Sequence, residues 1–158
     1  MNKMLNIRSI VYGGLDGIIT MFNIVAGSTG AKLNNKIVII LGLSTLVADA
    51  VSMGVSDYMS TKASKNKENP KINATNTFIS FILFGAIPLY TFILLNGKDN
   101  IFIKSSISAM IAMFVLGSVK SKYTKQKWYM SGIITIFYGM LASLISFNIG
   151  KYVSTIIK

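Results

Sequence analysis

Residues 37–58 read IVIILGLSTLVADAVSMGVSDY, and this stretch decides the fold. Its first twelve positions, 37–48, carry no charge. About 20 mostly apolar residues are what a helix needs to cross the hydrocarbon core of a bilayer. In lipid the backbone has no water to bond to, so a single spanning segment must be helical. Two aspartates, Asp49 and Asp57, stand inside and near the end of this apolar run.

Working outward, four more stretches have the same character: 7–26, 76–95, 101–119 and 128–149. The chain therefore reads as an all-α polytopic membrane protein with five transmembrane helices, one transmembrane domain over residues 1–158. Composition agrees. Hydrophobic residues make up 52% of the chain and charged residues 13%. A soluble domain carries about 25% charged residues. The first stretch is long and contains Asp16, unlike the short uncharged core of a cleaved signal peptide, so it reads as a retained helix.

The net charge of +11 comes from lysines lying in islands between apolar stretches. They form no stripe of the kind that binds nucleic acid, so nucleic acid is not an expected partner. They fit lipid headgroups instead, with the bilayer as the partner. Ten basic residues (Lys3, Arg8, Lys62, Lys65, Lys67, Lys71, Lys120, Lys122, Lys125, Lys127) fall on one side and six (Lys32, Lys36, Lys98, Lys104, Lys151, Lys158) on the other. That bias predicts a cytoplasmic N-terminus and a C-terminus across the membrane.

Short links, at 27–36 and at 96–100 with its Asn-Gly, predict antiparallel neighbours. The longest link, 59–75, is lysine-rich, with Pro70 read as a breaker. It includes a glycosylation sequon, Asn73-Ala74-Thr75, which this topology leaves cytoplasmic and unused. Pro88 predicts a kink in the third helix. Trp128, Tyr129 and Tyr123 read as interfacial anchors.

Cysteine and histidine are both absent. Disulfides, zinc thiolate sites and thiol catalysis are thereby excluded, and so is the commonest general base. No Ser-His-Asp set, phosphate loop or HExxH is present, so an enzyme is not expected.

Acidic residues are few: Asp16, Asp49, Asp57, Glu68 and Asp99. The last two fall in links. An acid in mid-membrane costs about 2.5–3.5 kcal/mol on insertion scales, so it faces a bundle interior or a polar path. Asp49, Met53 and Asp57 stand at i, i+4 and i+8, which puts them on one helix face over roughly 12 Å. Ser52, Ser56 and Ser60 form an adjoining row. With helices one and two antiparallel, Asp16 and Asp49 both come to lie about 14–15 Å deep, facing each other. Carboxylates with a thioether suit a borderline divalent ion such as Fe²⁺ or Mn²⁺ better than Mg²⁺. Carboxylates that bind metal must first give up any proton, so binding is linked to proton release. The candidate metal-ligating residues are Asp16, Asp49, Met53 and Asp57, with the ion as transported substrate and no resident cofactor. Gly13, Gly14 and Gly17 surround Asp16, and Gly13/Gly17 form a GxxxG step. That step fits either helix association or a locally opened helix.

These residues also carry a resemblance. The segments 12–20 (YGGLDGIIT) with 25–27 (VAG), and 48–60 (ADAVSMGVSDYMS), are similar to the first two helices of the vacuolar iron transporter family of iron and manganese exporters. Ile87-Pro88 and residues 115–120 (VLGSVK) resemble its third and fourth helices. The resemblance implies a homodimer with the path between subunits and helix one central to it. It implies export of cytosolic Fe²⁺, often also Mn²⁺, in exchange for protons. It carries the family's intramembrane aspartate and methionine onto Asp16 and Met53, and an acid near the end of helix two onto Asp57. The membrane is then vacuolar, another intracellular membrane, or the plasma membrane. Many members have a glutamate-rich cytoplasmic domain between helices two and three, whereas this chain has a short basic link holding only Glu68. Some have an acid where this chain has Thr45, and Asp49 lies one turn nearer Met53 instead. The alternative is a membrane-embedded assembly or partner-binding protein of the same fold that does not transport.

Overall fold

The computed structural model describes residues 6–64, 68–95 and 100–157. Five helices follow in order: α1 (Ile7–Gly30), α2 (Asn35–Ala63), α3 (Pro70–Leu94), α4 (Ile101–Thr124) and α5 (Trp128–Ile156). Each is long and apolar enough to cross a membrane. The described residues contain no strand. The protein is an all-α integral membrane protein.

The accessible surface is inverted relative to a soluble domain. Ile111, Phe137 and Leu144 are each at least 60% exposed, while Ser105 and Ser131 are fully buried. Lipid solvates the outer apolar faces. The inner hydroxyls bond to backbone across or along helices, as Ser131 does to the Gly117 carbonyl at 2.6 Å.

α1 is the hub. It touches all four other helices, whereas α2 touches only α1 and α3 among the described residues. Its glycines make this possible. A Cβ at Gly13 would lie 2.5 Å from the Thr77 carbonyl oxygen, and one at Gly17 would lie 2.5 Å from that of Phe81. The GxxxG step therefore seats α1 directly on the α3 backbone. α1 runs as one unbroken helix through these glycines, so of the two readings helix association holds and the opened helix does not. Ile18 and Phe22 on α1 pack with Met113 and Leu116 of α4, and Met21 packs with Leu46 of α2 and Phe81 and Leu89 of α3.

The α2–α3 link is shorter than hydropathy suggested. α2 continues to Ala63 and α3 starts at Pro70, leaving 64–69 between them. Pro70 begins a helix; it does not break one. At the first helical position its missing N–H costs nothing and its fixed φ is suited to the helix. The Asn69 side chain caps that end, accepting from the backbone N–H groups of Lys71 at 3.0 Å and Ile72 at 3.4 Å. Hydropathy missed this turn because its residues are polar. One consequence is that Asn73 of the sequon is helical and buried, at 3% exposure. Pro88 lies inside α3, which continues past it, and its carbonyl accepts from Ser105 at 2.8 Å. The Asn-Gly of the α3–α4 link falls outside the described residues.

Candidate functional site

Asp16 sits on α1 one residue before Gly17, where α1 is pressed against α3. Met53 and Asp57 sit one turn apart on α2. These three side chains line a single cavity of about 840 Å³, together with Ser56 and Ser60 of the serine row. Each of the three is half-buried. Helix periodicity alone aligned Met53 with Asp57. The packing of α1 beside α2 brings Asp16 to them.

Asp49 is placed differently. It is half-buried and close enough to Asp16 for their charges to repel, but it does not line the cavity. Its level divides two spaces. One turn along α2, Thr45 lines a second cavity of about 500 Å³ with Thr20, Asn23, Ser28 and Ser146. On α1, Asp16 lines the first cavity and Thr20, one turn on, lines the second. The first cavity offers carboxylates and a thioether. The second offers hydroxyl, amide and backbone oxygens, and no charged side chain. Among the described residues, no three acidic groups converge on one point, so Asp16, Asp49 and Asp57 are not a closed cage.

A hydrogen-bonded network fixes the outer part of the first cavity. The Thr77 hydroxyl on α3 donates to Asp57 Oδ2. The Thr61 hydroxyl donates to Asp57 Oδ1 at 3.2 Å. Asn73 Nδ2 donates to Thr61 Oγ1 at 3.1 Å and to Glu68 Oε2 at 2.7 Å. Asn6 Nδ2 donates to Asn73 Oδ1 at 2.8 Å and to Glu68 Oε2 at 3.1 Å. Sequence reading missed Thr61, Asn73, Thr77 and Glu68. The signal was faint: Asn73, Thr77 and Ser80 share one face at i, i+4 and i+7, but an apolar window starting at residue 76 leaves Asn73 out. Tyr123, read as an interfacial anchor, also lines this cavity, as do Arg8 and Lys120.

The VIT family model matches residues 7–69 and 62–151. The vacuolar iron transporter of Plasmodium berghei is 26% identical, with 95% of this chain and 83% of the relative covered. Vacuolar iron transporter 1 of Arabidopsis thaliana is 22% identical over 93% of this chain and 86% of the relative. That of Toxoplasma gondii is 50% identical, but over only 38% of this chain and 20% of the relative. The Plasmodium berghei alignment spans 226 positions against 158 residues here, so at least 68 positions (226 less 158) have no counterpart in this chain. The two matched segments of the family model meet at 62–69, around the α2–α3 link. Together they run from residue 7 to residue 151, through α1 to α4 and most of α5, so the chain belongs to the VIT family.

Proposed function

We propose that this protein carries a divalent metal ion, Fe²⁺ or Mn²⁺, out of the cytosol across an intracellular or plasma membrane, in exchange for protons. The observation that carries this reading is that Asp16 of α1 and Met53 and Asp57 of α2 line one cavity among the membrane-spanning helices. The vacuolar iron transporter names of the relatives support iron as cargo.

The residues have distinct roles in this reading. Asp57 and Asp16 supply hard anionic oxygen at two depths, and Met53 between them supplies a polarizable sulfur. That set favours a borderline ion over Mg²⁺ or Ca²⁺. Asp49 stands at the divide between the two cavities and passes the ion from Asp16 toward Thr45 and Thr20. The acids act as successive stations. That suits transport, because an ion bound by every acid at once would not leave. Neutral oxygens beyond the divide hold a divalent ion weakly and favour release. Protons replace the metal on the emptied carboxylates, and this couples the two fluxes.

The same reading makes the protein a homodimer with a cytoplasmic N-terminus. Ser52, Ser56 and Ser60 are exposed on α2, the last two lining the first cavity, and a polar row left open is better covered by a second copy.

The test is metal uptake into proteoliposomes holding a pH-sensitive dye. Fe²⁺ or Mn²⁺ should enter under a proton gradient, with the dye reporting proton movement in the opposite direction. Vesicles that take up neither ion would refute transport and leave the membrane-assembly reading.

A further inference from the structure

The cavity described above extends outward to the α2–α3 link, where its lining includes Glu68, Arg8 and Lys120. A cation approaching this protein meets a chain of net charge +11 and, among the described residues, two basic side chains at the cavity itself, Arg8 and Lys120. Glu68 is the acid on the outer lining, exposed to the surrounding water.

Its carboxylate is anchored in an unusual way. Asn73 and Asn6 both donate to the same oxygen, Oε2, at 2.7 and 3.1 Å. Amides are neutral, so these bonds fix the group without cancelling its charge. The other oxygen, Oε1, takes no hydrogen bond among the described residues. One oxygen holds position while the other stays available.

The polarity of the network is also fixed. The Asn73 NH₂ group can only donate, and it donates to both Glu68 and Thr61. Turning the amide over would set its carbonyl against the Glu68 carboxylate. Thr61 therefore accepts from Asn73 and spends its single proton on Asp57. Glu68 and Asp57 are thus linked through two intermediates, Asn73 on α3 and Thr61 on α2.

We propose that Glu68 is the cation-capture residue at the mouth of the cavity, with Asn6 and Asn73 as its positioning residues and Asp57 as the next station inward. The proposal rests on the transport reading above. Capture works through charge. A carboxylate at the mouth offsets Arg8 and Lys120 and raises the local concentration of a divalent ion, and salt screens that attraction over a Debye length.

The test is Mn²⁺ uptake by the full chain in proteoliposomes, wild type against Glu68→Gln, at low and high ionic strength. Glutamine keeps a carbonyl acceptor for Asn6 and Asn73, so the network survives and only the charge is lost. The expected result at low salt is a KM for Mn²⁺ raised about fivefold, from Coulomb attraction over several ångströms of water, with the maximal rate unchanged. The difference should shrink at high salt, and Glu68→Asp should restore most of the wild-type KM. A Glu68→Gln KM equal to wild type at low salt overturns the proposal, as does a shift that salt leaves untouched. A wild type that moves no Mn²⁺ overturns the transport reading, and this proposal with it.

Discussion

Thr77 on α3 donates its hydroxyl proton to Asp57 on α2, and Thr61 occupies the other carboxylate oxygen. Both oxygens of this acid are therefore addressed by hydroxyls from two helices. Asp57 ties α2 to α3 while facing the cavity. Thr77→Val keeps the shape and removes the donor. It should cost about 0.5–1.5 kcal/mol of stability, the net worth of one hydrogen bond to a half-buried acceptor. Thermal unfolding in detergent measures it. In a double-mutant cycle with Asp57→Ala, which removes both acceptor oxygens, the losses should be less than additive, whereas fully additive losses would show that the two side chains do not interact.

Asp16 is the acid that only α1 contributes to the cavity. Asp16→Asn keeps its size and an oxygen but loses the charge that attracts a divalent ion. Uptake should fall at least tenfold, about 1.4 kcal/mol or more of ion stabilisation. Elution volume on a sizing column should not change, because no packing contact is lost. Uptake close to wild type would remove Asp16 from the path.

Gly17 allows the backbones of α1 and α3 to meet. Gly17→Val places a side chain where even a Cβ would be 2.5 Å from the Phe81 carbonyl oxygen. Backbone cannot swing aside as a side chain can, so the helices must part. The expected loss is about 1–3 kcal/mol or more, seen as a lower unfolding temperature and poor yield. Gly54→Ala is the comparison, since its new Cβ would meet its nearest atoms at 3.3 Å. It should be milder, and equal losses at the two sites would count against the close α1–α3 approach.

The divide at Asp16 and Asp49 can be mapped on a chain that has no natural cysteine. Ser56→Cys lies in the carboxylate cavity and Thr45→Cys in the neutral one. A membrane-impermeant thiol reagent should label Ser56→Cys from the side of the N-terminus and Thr45→Cys from the opposite side. Labelling of both from one side would mean that no barrier lies between them.

The sequence by itself determined the number of spanning helices and the alignment of Met53 with Asp57. These are properties of single segments: a run of apolar residues, and the 3.6-residue turn that sets which side chains share a face. The glycine step at 13 and 17 was legible as a contact surface, but its partner was not. Only the packed bundle shows that α3 lies against it. Tertiary structure also placed Asp49 beside the cavity, outside its lining, and brought Glu68, Asn73 and Thr77 to the outer part of the site. The Asn6–Asn73 bond, 2.8 Å long, joins residues 67 apart in the chain. No local pattern encodes such a contact, because it exists only once α1 has settled against α3.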